Sequence, residues 1–272
     1  MVTQNIEVSI QSLHLSFFVR EEKSLYNAGF WEKVSSSNYE PDVIFTLKRW
    51  VSKNCTFFDI GASTGLMTFI SASLGAKCVA YEPIPNWFSE LTYNITQNPE
   101  LAKSIIAKQS IVALSDNPKV LIRELAGCYI SSISYSSEGD DFASVVDLKS
   151  EILTYSQNHQ PILKVDIEGA EYKILQDESL LELLSSKESK MILAIHPGFL
   201  RPTKRSKLKI LSFMRKFKFQ FRNYIDNYKL YNQLKKYSVI CRTNDVKVNS
   251  PHKFSLMAAT GVNEFNVYFQ SL

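Results

Sequence analysis

The sequence predicts an α/β fold built on a mostly parallel sheet, and three observations carry that prediction. Short apolar runs alternate with segments long enough to form helices. The first clear run, Cys55–Ile60, leads directly into a turn bounded by Gly61 and Gly65. The next run ends on an acid, Glu82. Strands separated by helix-length connections favour parallel pairing, because a crossover needs a dozen residues or more.

The elements follow in order. Ile6, Val8 and Ile10 alternate with polar residues, as do Leu13, Leu15 and Phe17 after a slip, so the N-terminus reads as two short strands. Val43, Ile44, Leu47 and Trp50 sit at helical spacing. Cys55–Ile60 reads as a buried strand, Leu66–Leu74 as a helix, and Lys77–Tyr81 as a second strand. Trp87, Leu91 and Ile95 mark a helix over 86–97, and Ile105–Leu114 holds a third strand. Residues 115–158 are serine-rich and less periodic, and read as a meandering insertion. Ile162–Ile167 is a fourth strand, followed by a helix from about Gly169, and Met191–Ile195 is a fifth. A helix is expected near Lys204–Met214. Phe217, Phe219 and Phe221 alternate as a strand, and so do Phe265–Phe269. No internal repeat and no clear linker is visible. The economical division is an extension over 1–50 packing on a core over 51–272, with insertions near 115–158 and 200–240.

The chain has 272 residues, enough for one large elaborated domain, and its formal net charge is only +4. The charge is unevenly spread. Nine basic residues and no acid fall between Arg201 and Arg222. The simplest reading of that run is a solvated face that discourages aggregation; an anionic acceptor is the second. Nucleic acid, with the three phenylalanines as stacking groups, ranks third. Cys55, Cys78, Cys128 and Cys241 lack the short spacings of zinc or redox sites, which suits a reduced, cytoplasmic protein. No stretch reads as a signal peptide or as a membrane span.

The strongest constellation is Phe58-Asp59-Ile60-Gly61-Ala62-Ser63-Thr64-Gly65, with Glu82 placed 23 residues after Asp59. In open α/β sheets ligands bind beyond the C-terminal ends of the strands. Gly61 permits a tight turn and Gly65 a close helix start, so the backbone can approach a ligand. An acid at the tip of the second strand can accept hydrogen bonds from both ribose hydroxyls of a nucleoside. A dinucleotide fingerprint needs a third glycine to seat its pyrophosphate. Here an acid precedes the first glycine instead, which suits a cationic ligand without phosphate. S-adenosylmethionine, with its ammonium and sulfonium, fits better than NAD.

These residues resemble the FkbM family of methyltransferases. The likeness runs through Asp59-Ile60-Gly61-Ala62 to Gly65, Tyr81-Glu82-Pro83 and Ala113-Leu114-Ser115-Asp116. Its most distinctive motif is matched by Leu163-Lys164-Val165-Asp166-Ile167-Glu168-Gly169-Ala170-Glu171. Tyr39-Glu40-Pro41 and Ile195-His196-Pro197 are similar to flanking features of the family. The likeness covers roughly residues 39–200. It implies a Rossmann-like class I methyltransferase fold, a mostly parallel seven-stranded sheet flanked by helices with an antiparallel final hairpin. It implies S-adenosylmethionine as methyl donor and, as acceptors, mostly hydroxyls of sugars and natural products. The cofactor-binding set carried over is Asp59, Gly61, Ala62, Ser63, Gly65 and Glu82, with Ser110 or Ile111 beside the adenine by analogy within the fold. The sequence departs from the family at Ser63, where Asn is frequent, and at Ala194, where Glu is frequent.

The chemistry is expected at Asp166, Glu168 and His196, on neighbouring strand ends. Methyl transfer is an in-line displacement at a sulfonium, so alignment of the acceptor supplies much of the rate. An alcohol is a weak nucleophile, and a base helps it. His196 is the natural base, because the ordinary imidazole pKa is near neutrality. Asp166 is expected to hold the imidazole or the acceptor, with Glu168 beside it. Two acids and a histidine also suit magnesium or manganese, but the ligand count is thin, so catalysis without a metal is favoured. Glu171, inside the following helix, reads as a surface or salt-bridge residue. Lys164 lies on an apolar strand, and its charge needs a partner, with Asp59 and Glu82 as candidates. His14, His159 and His252 read as structural or solvated. The alternatives are an RNA or nucleotide methyltransferase, a nucleoside-binding module that has lost catalysis, and an NAD-dependent oxidoreductase. The acceptor's identity and the oligomeric state are not written in these residues.

Overall fold

The computed structural model describes residues 3–10, 13–20, 28–36, 38–113, 121–124, 131–134, 144–167, 171–196, 209–260 and 263–270. The N-terminal hairpin pairs β1 (Thr3–Ile10) with β2 (Leu13–Arg20) antiparallel. Helix α1 (Ala28–Ser35) follows, then α2 (Pro41–Trp50). Pro41 opens α2 and Asp42 lies in its first turn, with Lys48 and Arg49 in its last, as the helix dipole favours. Its buried face is Val43, Ile44, Leu47 and Trp50, at the expected spacing.

The central strands come next: β3 (Cys55–Ile60), α3 (Leu66–Ser73), β4 (Lys77–Tyr81), α4 (Pro85–Gln97), α5 (Pro99–Ala102) and β5 (Ile105–Lys108). The third expected strand, 105–114, divides. β4 ends at Tyr81, opposite Lys108, so the chain has no partner to follow further along that edge. It steps away as β6 (Ser110–Ala113), which pairs in parallel with a later strand.

The expected insertion contains an antiparallel pair, β7 (Leu121–Glu124) and β8 (Ser131–Ser134). After it come β9 (Ser144–Asp147), the partner of β6, and helix α6 (Leu148–Ser156). The serine-rich composition hid α6. Its start is marked by Asp147, whose carboxylate accepts from the Ser150 amide at 3.0 Å.

The second half of the sheet holds β10 (Gln160–Val165), α7 (Glu171–Ile174), α8 (Glu178–Ser186), β11 (Lys190–Ala194), α9 (Lys209–Leu234), β12 (Ser238–Cys241), β13 (Val246–Val248), α10 (Pro251–Ala259) and β14 (Glu264–Tyr268). The expected strand around Phe217–Phe221 is not formed, because those residues lie inside α9. Asn223, Asn227, Leu230, Tyr231 and Leu234 are buried at helical spacing, and that longer period overrides a five-residue alternation. Phe221 is exposed. The helix begins at Lys209, and the first part of the helix expected from Lys204 lies outside the described residues. Most of the basic run lies outside the described side chains as well; Arg222 is exposed.

The main sheet has eight described strands in the order β13-β12-β14-β11-β10-β3-β4-β5. The seven strands from β12 to β5 match the expected sheet, with β14 inserted antiparallel between β11 and β12. β13 adds an antiparallel edge. β12 and β13 carried too few residues to stand out in the sequence.

The sheet is covered on both faces. Phe58, Leu163, Met191 and Leu193 point into one cluster with α6 to α10. Phe57, Ile162 and Ile192 point into the other, with Ile6 and the apolar faces of α1 to α3. This alternation is the pleat of β-strands, and burial of both faces explains why the parallel strands are continuously apolar. Burying a side chain such as Phe58 is worth about 2–3 kcal/mol. Among the described residues no helix is long and apolar enough to cross a membrane.

Candidate active site

β3, β4, β10 and β11 run the same way, so Gly61, Glu82, Asp166 and His196 all emerge on one edge. A cavity of about 350 Å³ opens there, within the range of small-molecule sites. Its wall includes Glu40, Asp59, Gly61, Ala62, Ser63, Glu82, Trp87, Lys164, Asp166 and His196.

The glycine turn is held by the neighbouring strand: the Gly61 and Ala62 amides both donate to the Tyr81 carbonyl at 3.0 Å. Gly61 has φ +88°, and a Cβ there would meet the Asp166 carbonyl oxygen at 2.1 Å. The loop therefore crosses the β10 end at a distance only glycine allows. Gly65, at φ +95°, starts α3 against Phe69 and Leu91 and does not line the cavity. Ser63 has φ +52°, a left-handed conformation that Asn tolerates better than Ser. Asn, which the family resemblance leads one to expect there, would carry less strain at this φ.

Glu82 ties the two loops together. Its Oε2 accepts from the Ser63 amide at 2.8 Å, and its Oε1 from the Ile84 amide at 2.9 Å. Each oxygen retains a lone pair for a ligand hydroxyl. Burial pushes this carboxyl up to about 7, although both amides and Lys164 favour its charged form. Asp59 is 1% exposed. Thr68 donates to its Oδ2 at 2.6 Å, while its Oδ1 has no hydrogen-bond partner among the described residues. Burial raises the Asp59 carboxyl too, with Lys164 opposing.

On the other side of the cavity a chain of charges crosses the strand ends. Lys164 Nζ donates to Asp166 Oδ2 at 3.1 Å. Asp166 is thus the direct partner of this buried lysine, while Asp59 acts on it only through space. Burial works against the lysine's charge, but Asp166, Asp59 and Glu40 outweigh it and hold the ammonium above its usual range. Burial likewise opposes the Asp166 charge, yet Lys164 and His196 hold that carboxyl below its usual range.

His196 Nδ1 lies 2.8 Å from Glu171 Oε1, and its Nε2 lies 3.6 Å from Asp166 Oδ1. Of the two roles expected for Glu171, surface or salt bridge, the structure shows the salt bridge, to His196. Glu171 is 0% exposed, and its Oε1 also accepts from the Ile167 amide at 3.2 Å. It opens a helix of four residues, three of which, Glu171, Tyr172 and Ile174, are buried. Glu171, not Asp166, therefore grips the imidazole.

Ser110 and Ile111 are buried in β6 and are not part of the cavity wall. The Ser110 hydroxyl is 2.7 Å from that of Ser144. Glu168 lies outside the described residues. Among the described residues no three His, Cys, Asp or Glu side chains converge as metal ligands.

Glu40 is a residue that the sequence reading noted but gave no role. It precedes α2 with φ +43°, does not cap the helix with its side chain, and lines the cavity beside Lys164 and Asp166. Such strain in a non-glycine residue concentrates at functional sites. Its carboxyl is raised by burial.

Four carboxyl groups and one lysine face the cavity, counting Glu40, Asp59, Glu82, Asp166 and Lys164. A pyrophosphate would be repelled there, whereas a ligand with an ammonium and a sulfonium would be attracted. S-adenosylmethionine fits on three counts: the acids, the free lone pairs of Glu82, and the glycine cradle.

A family model described as a methyltransferase FkbM domain matches residues 59–221, more than half of the chain. No match was found among curated proteins. Distant likenesses exist among solved structures. A putative rRNA-methylase from Clostridium thermocellum is 11% identical, over 66% of this chain and 76% of that one, with a TM-score of 0.34. A precorrin-6y C5,15-methyltransferase from Geobacter metallireducens GS-15 is 10% identical, over 82% and 78%, with a TM-score of 0.33. A fibrillarin/Nop5p complex is 10% identical, over 94% of both chains, with a TM-score of 0.40. At such scores these three carry no argument. The weight rests on the domain match, and with it on the strand order that puts the glycine turn beside an acid-tipped strand. The chain belongs to the FkbM family of S-adenosylmethionine-dependent methyltransferases, with the Rossmann-like class I fold.

Proposed function

We propose that this chain transfers the methyl group to a hydroxyl oxygen of a sugar, glycan or other small molecule, with His196 as the base. The observation that carries this reading is the Glu171–His196 pair. A buried carboxylate on Nδ1 fixes the tautomer of a histidine and makes Nε2 the basic nitrogen. His196 lines the cavity, with Nε2 3.6 Å from Asp166 Oδ1.

S-adenosylmethionine supplies an already activated methyl group on a sulfonium. The residues then have three tasks. Glu82, fixed in place by the Ser63 and Ile84 amides, would seat the ribose. Asp59 and Glu40 place negative charge where a cationic ligand needs it. Asp166, held ionised by Lys164, receives a hydrogen bond from the acceptor hydroxyl and turns it toward His196. His196 would take the hydroxyl proton as the oxygen–methyl bond replaces the donor's sulfur–methyl bond, the sulfur pair leaving with the neutral thioether, and Glu171 would stabilise the imidazolium. Base assistance of this kind contributes about 10²–10⁴-fold. The cavity edge, not a metal, provides the alignment in this account.

The test has two parts. Calorimetric titration with S-adenosylhomocysteine, with NAD as control, should give micromolar binding of the first alone. Incubation with methyl-labelled donor and hydroxyl-bearing small molecules should then place label on oxygen. Label found on nitrogen or carbon, or only on RNA, would overturn the oxygen assignment while leaving the methyltransferase intact.

A further inference from the structure

A second cavity of about 120 Å³, room for about four waters, adjoins the first. The two share Glu40, Lys164, Asp166 and His196. The second extends along the same edge of the sheet, past β11 to the start of β14 and the end of β12. Glu264 opens β14 and Arg242 directly follows β12, so both stand on the ligand-binding edge. The cofactor turn lies over β3 and β4, at the other end of this row. The strand order thus places the second cavity where an acceptor reaches His196 from the side away from the glycine loop.

Arg242 is the unexplained group here. Its side chain is 4% exposed, and Nη2 meets Glu264 Oε2 at 3.0 Å. Its Nε and Nη1 are buried with no hydrogen-bond partner among the described residues. A guanidinium carries five donors in a fixed fork, and stranding them away from water is unfavourable unless something accepts from them. The charges decide what that is. Glu264 balances Arg242, and Asp166 balances Lys164. Glu40 adds a third carboxyl against these two cations, so an anion would find no surplus positive charge. A neutral hydroxylated group would meet donors from Arg242 and an acceptor in Glu40.

We propose that Arg242 and this second cavity form the acceptor subsite, and that it binds an uncharged, hydroxyl-bearing part of the acceptor. The proposal rests on the reading of His196 as base toward a hydroxyl. The acceptor's oxygens take hydrogen bonds from Nε and Nη1 of Arg242, and one of its hydroxyls donates to Glu40. No bond is made or broken at Arg242.

The experiment uses the full chain loaded with S-adenosylhomocysteine. Glycerol, erythritol and methyl α-glucopyranoside are titrated as neutral probes, with glycerate and inorganic phosphate as anionic ones, and binding is read by saturation-transfer NMR. At least one neutral probe should bind in the millimolar range, with the anions at least tenfold weaker. Arg242→Gln should weaken the neutral probe at least tenfold and leave S-adenosylhomocysteine affinity within twofold. Should that variant unfold, Glu264→Gln serves instead: removing the balancing carboxylate should tighten glycerate at least fivefold. Tighter binding of glycerate or phosphate to the unaltered protein overturns the proposal, as do absence of all neutral binding, unchanged binding in Arg242→Gln, or glycerate unchanged in Glu264→Gln. Loss of S-adenosylhomocysteine binding in the unaltered protein would instead sink the cofactor-site reading, so the two failures are distinguishable.

Discussion

The two ends of one sheet edge are built in different ways. Over β3 and β4 the site is made of backbone: a glycine turn hung from Tyr81 and locked by a single carboxylate, Glu82. Over β10, β11, β14 and β12 it is made of side chains, a relay from Lys164 to Asp166 to His196 to Glu171, with Arg242 beyond. The first end depends on conformation that few residues can adopt. The second depends on charge partners that can be exchanged one at a time. Substitutions at the first should therefore damage the fold and cofactor binding together. Those at the second should separate catalysis from binding.

The largest expected effect is at the backbone end. Gly61→Ala puts a methyl 2.1 Å from the Asp166 carbonyl oxygen at φ +88°, and should cost about 3 kcal/mol or more in a urea unfolding midpoint. A loss below about 1 kcal/mol would show that the turn can shift away from β10. At the other end, His196→Ala should slow methyl transfer by about 10²-fold or more with S-adenosylhomocysteine binding intact. Full activity in that variant removes His196 as base. Glu171→Gln keeps a hydrogen bond to the ring but not the charge. About a tenfold fall in kcat, with KM unchanged and the acid limb of the rate profile moved, would mark Glu171 as a positioning residue. A purely structural role would lower the melting temperature and leave the pH profile in place.

Between these lies Glu82. Glu82→Ala should weaken S-adenosylhomocysteine by about 1–3 kcal/mol, because the ribose hydroxyls lose a charged acceptor. Its carboxyl is raised from 4.5 to about 7, so a proton competes with the ligand near neutrality. Affinity should rise about tenfold from pH 6 to pH 8 and then level off, and Glu82→Gln should flatten that curve. A flat profile in the unaltered protein would mean that the ligand does not require the ionised form. Without ligand the same shift acts on stability. The contribution is fully present below 4.5 and is lost as pH rises through about 7. The smallest effect is Ser63→Asn, which relieves the left-handed conformation at φ +52° and should stabilise by about 0.5 kcal/mol. An equal loss of stability would indicate that the serine hydroxyl holds the turn.

The backbone end was legible because its chemistry is local. Asp59 through Gly65 are consecutive, and Glu82 is one strand away, so spacing alone brought them together. The central strands were legible for the same reason, since burial on both faces writes a continuous apolar run. Helix α9 was misread where a five-residue alternation of phenylalanines imitated a strand. Only the later burial of Asn223, Asn227, Leu230, Tyr231 and Leu234 revealed a helical period.

The amino-acid order was sufficient for the family, the cofactor and the turn that receives it, because these rest on residues adjacent in the chain and on φ angles few side chains permit. Tertiary structure alone decided the partners of the buried charges. Glu171 turned inward to His196, Lys164 paired with Asp166, and Glu40 and Arg242 came to line one cavity through a strand order no local pattern records. The physical reason is that a buried charge takes whichever opposite charge the packed fold brings within reach, and that distance in space is unrelated to distance along the chain.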